Sequence, residues 1–314
     1  MKHYKLIHKN KNVEYKNYKN GNILKLKIGL GILSVSLTAF SIANPEVFID
    51  NTQNVIYTVN EFFSDSGNIE NLDTTNQEYL KEFENKLYSN IPSQYLKNYN
   101  NNINNLKYYN NNNDLNKIVG TSGYYDVKTN RMVNILSNRH VIFHELMHMA
   151  SSNGKYCGFS NGKTAIGLTE GYTEYLVKFL FPDKYIGYPK EVQIIKILNS
   201  IIGEEKIMQY YFTNNLEGLK KDLISIYGTQ KDVDNLIKLI DNYNITNDDK
   251  ILSEIAQLLL KYCYSHQQKQ ESNFEIDTNI RIFIYNMYNN DNFNELEENV
   301  KEEITNSNSQ KKFN

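Results

Sequence analysis

Apolar positions recur every three to four residues along most of this 314-residue chain, the period of an amphipathic helix. Residues 74–89 place Tyr79, Leu80, Phe83, Leu87 and Tyr88 at that spacing. Pro92 suits the first turn of a second helix, with Tyr95, Leu96, Tyr99, Ile103 and Leu106 as its stripe. Beyond residue 191 the period dominates, first in Val192, Ile195, Leu198 and Ile202. It continues over residues 207–212, 216–227, 233–240, 251–264 and 280–288. Short polar connections between these runs predict an antiparallel helical subdomain. One interval breaks the pattern. Residues 118–127 and 131–136 are rich in β-branched and aromatic residues and flank Lys128, Thr129 and Asn130, which predicts a β-hairpin. The fold class expected is α+β and predominantly helical: a small β-hairpin or sheet, a central helix after it, and a helical C-terminal subdomain.

The central helix starts after Ser137 or Asn138, either of which can cap it. It ends near Ser152, with Gly154 just beyond. Ile142, Leu146 and Met149 make one apolar side; Phe143, Met147 and Ala150 make another. Only the stripe carrying His144 and His148 is polar. A helix that is apolar nearly all round is buried, so His144, Glu145 and His148 lie deep and need partners there. They spell H-E-x-x-H. Positions i and i+4 sit one above the other on a helix. Both imidazoles can therefore reach one Zn2+, with Glu145 beside them as general base.

A loop rich in Gly, Ser and Asn follows over residues 155–163, and then a second helical run over residues 167–182. Thr169 is placed to cap it and Pro182 to stop it. Glu170 and Glu174 share a face at i, i+4, backed by Leu176, Phe179 and Leu180. A carboxylate from this helix completes a His2Glu set and leaves a fourth position for water, as catalytic zinc requires. Glu174, one turn further on, can accept a hydrogen bond from the outer nitrogen of a His ligand and fix its tautomer.

H-E-x-x-H, a gap of about twenty residues, then a helix opening T-E-G with an acid four positions after its Glu resembles the gluzincin metallopeptidases, the thermolysin-like zincins. The resemblance covers residues 118–182. It implies a zincin-like active-site helix, one Zn2+ held by His144, His148 and Glu170, Glu145 as base, and Glu174 as the acid that steadies a His ligand. It also implies that a strand just before the motif helix pairs with the substrate backbone, and the hairpin around residues 124–136 stands where such a strand would be. Glu stands at position 174 where the group has Asp, and no downstream His motif for the oxyanion is recognisable. By residue type Tyr156, Tyr172, Tyr175 and His266 are candidates for that donor, with nothing to choose among them.

Composition adds location. Residues 1–27 hold eight Lys and one Glu, a net +7 against −2 for the whole chain, so residues 28–314 carry −9. Nothing there offers a nucleic-acid surface, and no nucleic-acid partner is expected. The uncharged run 28–43 behind that basic segment reads as a signal or an N-terminal transmembrane anchor. Ser41 and Ala43 suit a cleavage site before Asn44. The catalytic part is then either membrane-anchored and extracytoplasmic or secreted. Cys157 and Cys263 are too few for a disulfide framework and are expected buried or free, with extracellular pairing open. Abundant Asn, Lys, Ile and Tyr suggest an AT-rich coding sequence and are not read as chemistry; ten of residues 98–113 are Asn.

The units expected are a helical N-terminal region with an Asn-rich linker (44–116), the catalytic core (117–190), the helical subdomain (191–293) and a frayed or disordered tail (294–314). The function expected is hydrolysis of peptide bonds in a peptide or protein substrate. Two other classes stay open: a cell-surface binding protein without catalysis, and a zinc hydrolase of a non-peptide amide.

Overall fold

The helical period is realised as eleven helices among the described residues, with a three-stranded sheet set against them. The computed structural model describes residues 74–110, 123–134, 138–185, 187–270, 276–288 and 291–311. The basic segment, the uncharged run 28–43 and residues 44–73 lie outside them. The expected membrane contact is corrected: among the described residues no helix is long and apolar enough to cross a membrane. A span needs about 20 apolar residues. The longest helix has 22 residues but carries Asp249, Lys250, Glu254, Lys261 and Lys269.

Helix α1 (Thr74–Asn90) leads through a 3-10 turn (Ser93–Tyr95) into α2 (Lys97–Ile103). The single helix expected after Pro92 is thus split, and residues 107–110 leave it as strand β1 (Lys107–Asn110). Strands β2 (Gly123–Asp126) and β3 (Arg131–Asn134) form the expected hairpin. Asp126 closes it by accepting from the Lys128 N–H (2.9 Å) and the Thr129 hydroxyl (2.6 Å), and Asn130 takes a left-handed φ of 51°. The strand order is β1-β3-β2, with β1 parallel and β2 antiparallel to β3. Tyr108, Met132 and Tyr125 fall in register across the three strands and all are buried. Alternate positions on a strand share a face, so this row is the sheet's contribution to the core.

Helix α3 (Arg139–Ser151) carries the motif. Asn138 caps it, its side chain accepting from the His140 N–H at 2.9 Å. Phe143 packs with Tyr79 and Phe83 of α1 and with Phe181. The buried end of a helix leaves carbonyls that need donors. Three asparagines supply them. Asn102 donates to Met149 O (2.9 Å) and Ser152 O (2.6 Å), while Asn98 and Asn214 both donate to Ser151 O.

Helix α4 (Ile166–Leu180) begins three residues before the expected cap, and Pro182 follows its end. Thr169 lies inside its first turn. There its hydroxyl accepts from the Phe159 and Ser160 N–H groups and donates to Ala165 O, pinning the preceding loop. The cap comes from a distant element: Asp241 accepts from the N–H groups of Ala165 (2.8 Å) and Gly167 (2.9 Å). Gly171 lets α4 meet the next helix closely, since a Cβ there would lie 2.9 Å from the Glu191 backbone.

Helices α5 (Pro189–Ile202), α6 (Glu204–Phe212), α7 (Leu216–Ile226), α8 (Gln230–Thr246), α9 (Asp249–Gln270) and α10 (Thr278–Tyr288) follow the predicted runs. Helix α5 packs on α4, and α8 bridges α4 and α9. The tail expected to be frayed forms α11 (Phe293–Lys311) on α9. Phe293, Val300 and Ile304 are buried there, and Glu297 is held by Arg281 and Tyr264. These apolar positions keep a helical period inside an acidic, Asn-rich sequence, so average polarity hid them.

Candidate metal centre

His140, His144 and His148 stand at i, i+4 and i+8 on α3, and all three are buried. Glu170 reaches the last two from α4. Its Oε2 lies 3.0 Å from His144 Nε2 and 3.4 Å from His148 Nε2, and the two imidazole nitrogens are 3.1 Å apart. Tetrahedral zinc with bonds of about 2.0–2.1 Å keeps its ligand atoms about 3.3 Å apart. The triangle of 3.0, 3.1 and 3.4 Å therefore fits one such ion. The group could hold a metal, as the donor atoms of all three residues face a common point.

The outer nitrogens are held as well. His144 Nδ1 donates to Glu174 Oε2 at 3.2 Å. His148 Nδ1 faces the Thr173 hydroxyl (3.3 Å) and Cys157 Sγ (3.4 Å). With both Nδ1 atoms so engaged, both Nε2 atoms are turned to Glu170. Fixing a ring in this way sets its tautomer and orientation for ligation.

Electrostatics follow from this geometry. Burial works against charge on His144, but hydrogen bonds with Glu170 and Glu174 outweigh it and lift its pKa to about 9. Burial likewise opposes charge on His148, and Glu170 and Cys157 raise it well above the usual range. Burial alone would raise Glu170; the two imidazoles instead hold it far below the ordinary carboxylate range. Glu174, pulled down by His140 and His144 against its own burial, falls to about 2. Glu145 behaves differently. It is buried, and burial raises its carboxyl despite the nearby imidazoles and the Tyr125 backbone of β2. A carboxylate with a raised pKa is the better proton acceptor near neutral pH.

His144, Glu145, His148, Glu170 and Glu174 are thus all in or around one buried cluster. Of the oxyanion candidates, Tyr172 is wholly buried among Phe159, Tyr175 and Tyr211, and the Tyr175 hydroxyl donates to Glu204. Tyr156 sits in the loop after α3 under Lys155, and His266 lies on α9. The aromatic ring stacked on His144 is Tyr188, at 5.6 Å between centroids. Sequence reasoning also missed His140, Asp183, Thr173 and Tyr211. His140 is open to the same i, i+4 argument that pairs His144 with His148; the others come from contacts across helices and carry no local signal. Cys157 and Cys263 are both free thiols, Cys263 buried.

Comparison of the chain with protein-family models, with curated proteins and with solved structures finds no match. The likeness to gluzincins rests on the motif residues alone.

Proposed function

We propose that this chain is a zinc-dependent metallopeptidase. The observation that carries the reading is the donor triangle of His144 Nε2, His148 Nε2 and Glu170 Oε2, with both outer ring nitrogens already engaged. A Zn2+ bound there supplies an acidified water and a Lewis acid for a carbonyl. His144, His148 and Glu170 hold the ion. Glu145 accepts a proton from the attacking water and returns it to the leaving amine. Glu174 keeps the His144 ring in the ligating tautomer. Strand β2 lies against α3, and an extended peptide substrate would lie along the hairpin that β2 forms with β3.

Two variants test this. Glu145→Gln is expected to retain one zinc per chain and lose about 100- to 10,000-fold in peptide turnover. Glu170→Ala is expected to lose the metal itself, measured by elemental analysis after dialysis. Cleavage of a peptide library by Glu145→Gln at the parent rate would overturn the mechanism. Zinc uptake with no cleavage by the parent would point to a binding role instead.

A further inference from the structure

A line of polar groups runs outward from the rear of His144. Oε2 of Glu174 accepts from two imidazoles at once, His144 Nδ1 at 3.2 Å and His140 Nε2 at 3.0 Å. Its other oxygen accepts from the Gly187 N–H at 2.9 Å. The far nitrogen of His140, Nδ1, donates to Asp183 Oδ2 at 2.9 Å. Asp183 in turn accepts from Lys178 Nζ and from the Tyr185 N–H, both at 3.0 Å. The Tyr185 ring lies 4.6 Å from the ring of His140.

His140 is only 4% exposed. A buried imidazole costs stability unless both nitrogens are satisfied. Here each nitrogen faces a carboxylate oxygen, so the ring acts as a donor at both ends. It is a strut between Asp183, near the surface, and Glu174, in the core. With Gly187 holding one oxygen and His140 sharing the other, Glu174 cannot turn away from His144. His144 then keeps its hydrogen on Nδ1, and Nε2 is the nitrogen turned toward Glu170 and His148.

We propose that His140, anchored from outside by Asp183, is a positioning residue for the metal centre. It acts by fixing the Glu174 carboxylate that orients His144. The inference rests on the metal-site reading above and adds a residue outside the H-E-x-x-H motif to it.

The test compares parent, His140→Phe and Asp183→Ala by zinc affinity, from competition with a chelator, and by the melting temperature of the metal-free proteins. His140→Phe is expected to weaken zinc about 10- to 100-fold and to lower the metal-free melting temperature, because it takes a partner from the buried Glu174 carboxylate. Asp183→Ala is expected to weaken zinc a few-fold with a metal-free melting temperature close to the parent's. Zinc affinities within twofold of the parent for both variants would overturn the proposal. A parent that takes up no zinc would sink the metal-site reading. The positioning claim is then decided by 15N NMR of the His144 ring in the metal-free proteins. Exchange of its Nδ1 hydrogen with water at least tenfold faster in the variants supports the strut, and equal exchange refutes it. Should His140→Phe fail to fold, Asp183→Ala, at the outer end of the line, carries both measurements.

Discussion

The two imidazoles that face Glu170 stand one helical turn apart, yet their rear sides meet different chemistry. Behind His144 lies a carboxylate, Glu174, and beyond it His140, then Asp183 with Lys178. Behind His148 lie a hydroxyl and a sulfur, Thr173 Oγ1 and Cys157 Sγ, with Thr173 paired to the Tyr211 hydroxyl at 2.7 Å. A carboxylate behind a ring both fixes its tautomer and makes it a stronger donor to metal. A hydroxyl or thiol only orients it. In the proposed site the two rings are therefore backed differently, His144 by a carboxylate and His148 by a hydroxyl and a sulfur.

The largest effect expected from this asymmetry is at Glu174. Glu174→Gln removes the charge behind His144 and is expected to weaken zinc about 10- to 100-fold. Thr173→Val removes the matching group behind His148 and is expected to cost only a few-fold in zinc affinity. It also takes the 2.7 Å partner from the buried Tyr211 hydroxyl, which keeps the longer bond to Met147 O (3.4 Å), at about 1 kcal/mol of stability. Chelator competition on both variants decides the matter. Equal losses would erase the distinction between the two sides.

A second contrast sharpens the first, because one more buried glutamate sits close by without an imidazole. Glu191 on α5 is 4% exposed, and burial raises its pKa to about 7 from 4.5, with Glu170 adding repulsion. Its folded value lies above its unfolded one, so the folded state binds the proton more tightly. Stability therefore falls as pH rises from about 4.5 to 7. Glu174 has the opposite sign: its value of about 2 contributes stability above pH 4.5 that is lost as pH falls toward 2. Glu191→Gln is expected to stabilise the metal-free protein by about 2 kcal/mol at pH 8 and by little at pH 5. Urea unfolding at the two pH values measures it. A gain of the same size at both would mean that the charge of Glu191 is not what costs stability.

These pairs also mark how far the chain could be read without coordinates. The buried cluster is legible because helix spacing is local: His144 and His148 at i, i+4, and Glu170 and Glu174 at i, i+4 on the next helix. The hairpin was legible from its β-branched flanks. Strand β1 was not, because only four residues make it and it pairs in parallel with β3 across more than twenty residues of chain. The cap of α4 was assigned to Thr169 by proximity, yet Asp241 supplies it from a helix more than seventy residues away. The asparagines were set aside as composition. Asn98, Asn102 and Asn214 nonetheless satisfy the end of the motif helix, something only their three-dimensional placement reveals.

The smallest effect expected tests the His148 side directly. Cys157 Sγ lies 3.4 Å from His148 Nδ1 and 3.3 Å from His148 O. A thiol is a weak donor and a weak acceptor, and the Thr173 hydroxyl already faces the same nitrogen. Cys157→Ser keeps a polar group at the position and exchanges one weak partner for another. A difference of about 0.5 kcal/mol between such bonds corresponds to a change in zinc affinity of about two- to threefold. If Cys157→Ser weakened zinc as much as Glu174→Gln, the sulfur would be acting on His148 as an anion acts on His144. Both rings would then be backed by charge, and the contrast between the two sides would have to be given up.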